Sequence, residues 1–161
     1  MAHKVCVVFF MGQGGALTSQ GMLFMTDQAR KLGYEAQCFT YDQYKQGEAV
    51  LDKYRPLGYK LAVVGYSLGA GTATYVENYE RLDLLVALDP SQLGYNYKLN
   101  HANVAHSILW HNSNWLNGPF GHAGLGLGFM EVHETLDPHV FVDKDPMIQK
   151  NIFDNLAKLA A

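Results

Sequence analysis

Strand-like and helix-like segments alternate along this 161-residue sequence. The alternation predicts an α/β fold with a mostly parallel sheet of about six strands and helices on both faces. The first apolar run, residues 5–10, is continuous, as expected for a central strand buried on both sides. The length fits one domain over residues 1–161 and leaves no room for a cap domain.

Each predicted strand is an apolar or β-branched run, and each predicted helix has an apolar face or a capping signal. We predict strands over 5–10, 35–40, 61–64, 84–88, 104–110 and 129–133. We predict helices from Thr18 or Ser19 to Gly33, over 42–54, over 68–80, and from the cap Asp145 with Pro146 in the first turn. Residues 112–128, dense in Gly and Asn, predict a long functional loop.

Composition limits the classes of function. The formal net charge of -3 gives no basic face for nucleic acid and no polybasic anchor for a membrane. Cys6 and Cys38 lie in predicted strands without a C-x-x-C spacing, which predicts reduced thiols and a cytoplasmic location. We expect no targeting segment and no membrane span. A small-molecule partner is therefore predicted, whereas the sequence does not indicate an oligomeric state.

A Gly-x-Ser-x-Gly pentapeptide, Gly65 to Gly69, stands between the apolar run 61–64 and a helix-like segment. A serine in a sharp strand-to-helix turn has strained backbone angles, so the residues two before and two after it must be small. The turn exposes the hydroxyl and directs the first helical N–H groups toward it. We predict that Ser67 is a nucleophile; the alternative is a serine that forms the turn or caps the helix.

A serine nucleophile needs a base, and the base needs a carboxylate that orients it. In sites built on a Gly-x-Ser-x-Gly turn of this kind, the acid and then the histidine follow the serine along the sequence. The carboxylates in that interval are Glu77, Glu80, Asp83, Asp89, Glu131, Glu134 and Asp137. Asp89 ends a strand at the edge where sites of parallel sheets form, so it is the predicted acid. An Asp-Pro turn is the alternative for Asp89, and Glu131 or Asp137 would replace it as the acid.

The base is one of four histidines that follow the serine at suitable positions, namely His111, His122, His133 and His139. His139 lies in a predicted loop, six residues before Asp145, from which a side chain can reach the serine. His133 lies in the last predicted strand. We predict His139 as the base and keep His133 as the alternative.

Two backbone N–H groups are expected to bind the oxyanion. One belongs to Leu68, directly after the serine, and the other to Gln13 in the glycine loop 12–15 after the first strand. A dinucleotide-binding reading of that loop fails because Leu17 stands where a small residue is needed. The run 118–128 lacks the end of a phosphate loop, and the histidines lack zinc spacings, so no cofactor and no metal are predicted.

Together these residues resemble a small, lid-less α/β-hydrolase of the lipase and esterase type. The resemblance extends along nearly the whole chain and includes Leu88-Asp89-Pro90 and the segment from His139 to Pro146. In two respects the chain departs from that family: Met11-Gly12 replaces the His-Gly pair that often opens the oxyanion loop, and the acid comes one strand early.

The resemblance agrees with a serine hydrolase that cleaves a carboxylic ester or thioester through an acyl-enzyme. Trp110, Trp115 and Phe120 are predicted to form an apolar wall for the substrate; ordinary packing is the alternative. Two rival functions stay open. The chain could be a binding module that kept the fold without turnover, or an acyltransferase that uses an alcohol in place of water.

Overall fold

The computed structural model describes residues 4–77, 81–91, 98–112 and 126–161. Its centre is a six-stranded parallel sheet in the order β2-β1-β3-β4-β5-β6. The strands are β1 Val5–Met11, β2 Glu35–Thr40, β3 Lys60–Tyr66, β4 Leu84–Leu88, β5 Ser107–Asn112 and β6 Glu131–Thr135. The predicted fold class is therefore confirmed, because the sheet is parallel, has six strands and carries helices on both faces.

Four α-helices of the described chain cover the sheet. They are α1 Gln20–Lys31, α2 Tyr44–Tyr54, α3 Leu68–Val76 and α4 Pro146–Ala160. α1 and α4 pack on one face with the odd-numbered side chains of β1, whereas α2 and α3 pack on the other face with the even-numbered ones. This alternation follows from the two-residue period of a strand. It explains why β1 is apolar throughout: all seven of its residues are buried.

The predicted start of the closing helix is confirmed. Asp145 is its N-cap, and the carboxylate oxygen Oδ1 accepts the N–H groups of Met147 at 2.6 Å and Ile148 at 3.2 Å. Pro146 occupies the first turn, where a missing N–H costs no hydrogen bond. Ser19 is likewise the N-cap of α1, but its hydroxyl makes no capping bond to that helix.

Four strands differ in extent from the prediction: β1 continues to Met11, β3 covers Lys60–Tyr66 rather than 61–64, and the larger differences are in β5 and β6. β5 begins at Ser107 rather than at residue 104, because Val104 forms only an isolated bridge to Leu82. β6 covers Glu131–Thr135 rather than 129–133. His139 opens a 3-10 helix, His139–Lys144, where a loop was predicted. Residues 78–80, the predicted end of the nucleophile helix, lie outside the described residues, as does most of the predicted loop 112–128.

Both cysteines are free: Cys6 is buried and Cys38 is half-buried. Burial raises the pKa of the Cys6 thiol to about 12 and that of the Cys38 thiol to about 11. Within the described ranges, no helix combines the length and the apolar character required to cross a lipid bilayer.

Candidate active site

The strand order reverses direction between β1 and β3. From β1 the chain passes to β2 on one side, and from β3 it passes to β4 on the other. Ligands of open parallel sheets bind at such a reversal of strand order. The strands are in register there, with Phe10 opposite Gly65, so that the glycine loop after β1 faces the turn after β3.

Close packing explains the two glycines of the pentapeptide. A methyl group on Gly65 would lie 2.1 Å from the carbonyl oxygen of Gly69, and one on Gly69 would lie 2.1 Å from the carbonyl oxygen of Phe10. Both contacts are with backbone atoms, which cannot rotate away. The turn therefore requires glycine at both positions, as the sequence rule predicts.

Ser67 has a positive φ of 57° with ψ of -119°, a conformation that costs free energy in any residue with a Cβ. The end of β4 and the residues after it hold Ser67: its N–H donates to the Leu88 carbonyl at 2.9 Å, and its carbonyl accepts the N–H of Ser91 at 3.3 Å. The side chain follows β3 directly and precedes α3. Ser67 thus occupies the strained strand-to-helix turn that the sequence predicts.

Asp89 follows β4 at the same edge of the sheet and also has a positive φ, 40°. Its N–H donates to the carbonyl of Trp110 at 2.7 Å, and its Oδ1 accepts the N–H of Asn112 at 3.0 Å. The carboxyl is buried. These two bonds to β5 fix the orientation of the carboxyl group and leave Oδ2 directed at His139.

His139 bridges the other two side chains. Its Nδ1 lies 2.6 Å from Asp89 Oδ2, and its Nε2 lies 2.9 Å from Ser67 Oγ. An ionised carboxylate can only accept hydrogen bonds, so Nδ1 carries the proton that faces Asp89. Nε2 is then the acceptor, and the Ser67 hydroxyl donates to it. The structure thus brings together the serine, the acid and the histidine that the sequence singles out.

Tyr66 supports His139, a role that no sequence signal indicates. Its ring stacks on the imidazole with centroids 5.3 Å apart, and its hydroxyl donates to the His139 carbonyl at 2.8 Å. Burial, together with the nearby carboxylates of Asp143 and Asp89, raises the pKa of the Tyr66 phenol. The hydroxyl therefore stays neutral and remains a donor to the His139 backbone. The stacked Tyr66 ring contacts a face of the imidazole, whereas Asp89 contacts its edge at Nδ1.

The alternative acids and bases have partners elsewhere. His133 lies on β6, where its Nε2 is 3.2 Å from Glu131 Oε2, and Glu131 also contacts His106 at 3.0 Å. Buried His111 has its Nε2 3.8 Å from Glu134 Oε1. The pKa of Asp137 is raised, mainly by a hydrogen bond to Asp145 and to a lesser extent by burial. His122 lies outside the described residues.

Trp110, predicted to line the substrate site, has core contacts. Its ring stacks on the His133 ring with centroids 4.5 Å apart, and its Nε1 donates to Asn151 Oδ1 of α4 at 3.3 Å. Its side chain is therefore on the α4 face of the sheet with the buried residues packed there. Trp115 and Phe120 lie outside the described residues, so the apolar wall stays a prediction.

The glycine loop lies directly beside the serine. A methyl group on Gly12 would lie 2.8 Å from Ser67 Cβ and 3.3 Å from its Oγ. Gln13 is the next residue and is exposed. Leu68 is the first residue of α3, where a helix leaves its N–H groups without partners of its own. The two predicted oxyanion donors thus belong to segments that flank Ser67.

Serine and threonine hydroxyls hold this loop in place. The buried Ser19 hydroxyl accepts the N–H of Gly12 at 3.1 Å, which is why it makes no capping bond to α1. The Thr18 hydroxyl donates to the Gln13 carbonyl. These two hydrogen bonds, at the Gly12 N–H and the Gln13 carbonyl, hold the backbone of the loop in one conformation beside Ser67.

Comparisons with known proteins identify the fold. No family model matches the sequence, and no curated protein sequence matches it. Among solved structures, one from the metagenome-derived lipolytic enzymes LipS and LipT has a TM-score of 0.68 at 11% identity and covers 98% of this chain and 95% of that one. Est1E from Butyrivibrio proteoclasticus gives 0.68 at 10% identity, with 98% and 89% covered.

Human thioesterase 2 is similar in the same way, with a TM-score of 0.61, 10% identity, and coverage of 98% of this chain and 96% of the thioesterase. Identities this low establish shared architecture and leave the activity open. The chain has the α/β-hydrolase fold, and its Ser67, Asp89 and His139 meet at the carboxyl edge of the sheet.

Proposed function

We propose that the protein is a serine hydrolase that cleaves a carboxylic ester or thioester through an acyl-enzyme. One observation carries the proposal: the His139 ring bridges Ser67 Oγ at 2.9 Å and the buried Asp89 carboxylate at 2.6 Å. A row of this kind supplies a nucleophile, a base and a group that orients the base.

In the proposed acylation step, His139 Nε2 takes the proton of the Ser67 hydroxyl while Oγ attacks the acyl carbon. The imidazolium that forms is stabilised by Asp89, whose second oxygen stays bound to the Asn112 N–H. The tetrahedral intermediate collapses when Nε2–H protonates the leaving alkoxide or thiolate. The acyl group then remains on Ser67 as an ester.

The negative charge that develops on the carbonyl oxygen needs donors that are already in place. The backbone N–H groups of Leu68 and Gln13 serve this role in the proposal. The closeness of Gly12 to Ser67 supports it, because a side chain at that position would obstruct the approach to Oγ.

Deacylation repeats the chemistry with water. His139 Nε2 removes a proton from a water molecule, the hydroxide attacks the acyl carbon, and the proton passes to Ser67 Oγ as the bond breaks. The products are the carboxylic acid and the free enzyme. An alcohol in place of water would yield a transferred ester, so product analysis separates a hydrolase from an acyltransferase.

A fluorophosphonate probe tests the proposal, because its phosphorus atom reacts with an activated serine. Wild type should be labelled once, at Ser67, and should hydrolyse p-nitrophenyl esters. Ser67→Ala should lose both properties while its thermal unfolding stays close to wild type, since only an oxygen atom at the turn is removed.

Ser107→Ala is the matched control. Ser107 is also buried, but it is the first residue of β5 and therefore lies at the opposite edge of the sheet from Ser67. Its hydroxyl accepts the N–H of Met130. This variant should label at the wild-type rate. A folded wild-type protein that takes no label would refute the hydrolase and favour the binding module. A series of p-nitrophenyl esters with increasing acyl length would then define the acyl group that an active enzyme prefers.

A further inference from the structure

Lys144 closes the 3-10 helix that begins with His139, and its ammonium group has three acceptors. Nζ donates to the carbonyl of Thr18 at 3.0 Å, to the carbonyl of Val140 at 2.8 Å, and to Asp143 Oδ1 at 2.7 Å. A lysine ammonium carries three N–H bonds, so every donor is engaged. We call Lys144 with these three acceptors the Lys144 clasp.

The clasp joins two parts of the candidate site that are far apart in sequence. Val140 directly follows the proposed base. Thr18 lies three residues after the glycine loop, and its hydroxyl donates to the carbonyl of Gln13 within that loop. One ammonium group therefore connects the loop of the proposed oxyanion donor to the segment of His139, across 126 positions.

Asp143 anchors the clasp in the interior. The residue is fully buried. Its Oδ2 lies beside the start of α1, since a methyl group on Gly21 would come within 2.8 Å of that oxygen. The amino end of a helix carries partial positive charge, which favours a carboxylate there. Gln149 of α4 donates to the Asp143 carbonyl at 2.8 Å. The clasp is thus built on α1 and α4, the two helices of one face.

We propose that Lys144 is a positioning residue, which holds the glycine loop and His139 at a fixed separation so that the oxyanion donor and the base meet one substrate. This proposal rests on the proposed function. It also accounts for the departure at Met11-Gly12, because Ser19, Thr18 and Lys144 together take over the support of the loop.

The clasp acts on rate rather than on ground-state binding. Oxyanion donors interact more strongly with the transition state than with the substrate, so a displaced donor lowers kcat and leaves KM nearly unchanged. A shift of about 1 Å in a catalytic arrangement lowers the rate by up to about 100-fold. We expect a loss of about 10- to 100-fold when the ammonium is removed.

Replacement and chemical restoration of the ammonium test the clasp. Lys144→Cys removes the ammonium, and alkylation of the new thiol with 2-bromoethylamine restores an ammonium on a side chain of lysine length. The side chain of Lys144 is 33% exposed, which admits the reagent. Cys6 and Cys38 have pKa values of about 12 and about 11 and react little at about pH 8, where an ordinary exposed thiol forms some thiolate.

The rate constant of fluorophosphonate labelling at Ser67 is measured together with its end point. The end point counts the molecules that can reach the active conformation, so irreversibly unfolded protein lowers it without changing the rate constant, and thermal unfolding confirms that the variant is fully folded at the assay temperature. Lys144→Cys should label about 10- to 100-fold more slowly to the same end point, and alkylation should restore most of the rate. Lys150→Met is the control, because Lys150 pairs only with Asp154 on the exposed side of α4 in the described contacts; it should label like wild type.

Labelling of Lys144→Cys at the wild-type rate would overturn the proposal, as would slow labelling that alkylation does not improve. If Lys144→Cys fails to fold because buried Asp143 loses its partner, Asp143→Asn with Lys144→Met removes both charges and should show the same slow labelling. Amide hydrogen exchange over residues 12–18 measures the clasp independently of reactivity. Lys144→Cys should exchange faster over these residues than wild type, even if wild type takes no label. Unchanged exchange would refute the clasp without bearing on the proposed hydrolase activity.

Discussion

Asp89→Asn tests the orientation of the proposed base with little other change. Asparagine has the shape of aspartate, and it is among the residues that tolerate a positive φ, here 40°. The bond that decides the outcome is the one from the Asn112 N–H to Oδ1, because that donor belongs to the backbone of β5 and cannot turn. In the variant, the amide oxygen must accept it to avoid a buried N–H without a partner.

With the oxygen at Asn112, the new NH₂ group faces His139 Nδ1, which lies 2.6 Å from Oδ2 in the native site. Nδ1 must then accept, so the ring proton moves to Nε2. An imidazole with Nε2–H cannot take the Ser67 proton. In the serine-protease triad this substitution lowers kcat about 10⁴-fold, and the same tautomer argument gives about 5 kcal/mol of barrier here.

The assay is the pre-steady-state burst and the steady-state rate on a p-nitrophenyl ester, with thermal unfolding to confirm that the variant is folded. Asp154→Asn, at an exposed position on α4, is the matched control and should keep the wild-type rate. A loss of less than tenfold in Asp89→Asn would refute the reasoning. It would direct the search to Glu131, to Asp137 or to a serine–histidine pair without an acid.

Three further predictions concern the base, the turn and the thiols. His139→Ala should abolish the burst while His133→Ala keeps it, since His133 contacts Glu131 and Trp110 instead of Ser67; a burst that survives only in the His139 variant would reverse the assignment. Gly69→Ala should lower the free energy of unfolding by about 3 kcal/mol or more, because its methyl group would clash with the Phe10 carbonyl. Gly33→Ala is the control: it has open space but a positive φ, and should lower the free energy of unfolding by about 1 kcal/mol. Equal losses of the two variants in urea unfolding would contradict the predicted clash. The Cys6 and Cys38 thiols should react with a disulfide reagent at about pH 8 only after denaturation, because burial raises both pKa values, and rapid reaction of the native protein would contradict this.

The turn and the sheet could be predicted because the rules behind them are local. Gly65 and Gly69 are required by backbone contacts within a few residues of Ser67 or on the adjacent strand, and the pentapeptide records that requirement directly. Asp89 could be selected because it is the first residue after a short apolar run. These signals need no knowledge of distant side chains.

The remaining features depend on contacts between distant segments. The apolar run from residue 104 does not reveal that Val104 forms an isolated bridge and that β5 begins at Ser107. The hydroxyl of Ser19 looks like a helix cap in sequence, yet it binds the N–H of Gly12. Lys144 reads as an ordinary surface lysine, because its acceptors are backbone carbonyls that have no side-chain signature.

Among the described residues, Ser67 and Asp89 are the two that have positive φ without being glycine. Each such conformation costs about 1–3 kcal/mol, so the folded chain holds strain at the two positions where the proposed chemistry needs a side chain. Glycine at either position would relieve that strain and remove the reacting or orienting group. If the protein has the proposed activity, selection for heat resistance alone would therefore favour sequences that lose it, and a stabilised form that keeps it must gain its stability away from these two residues.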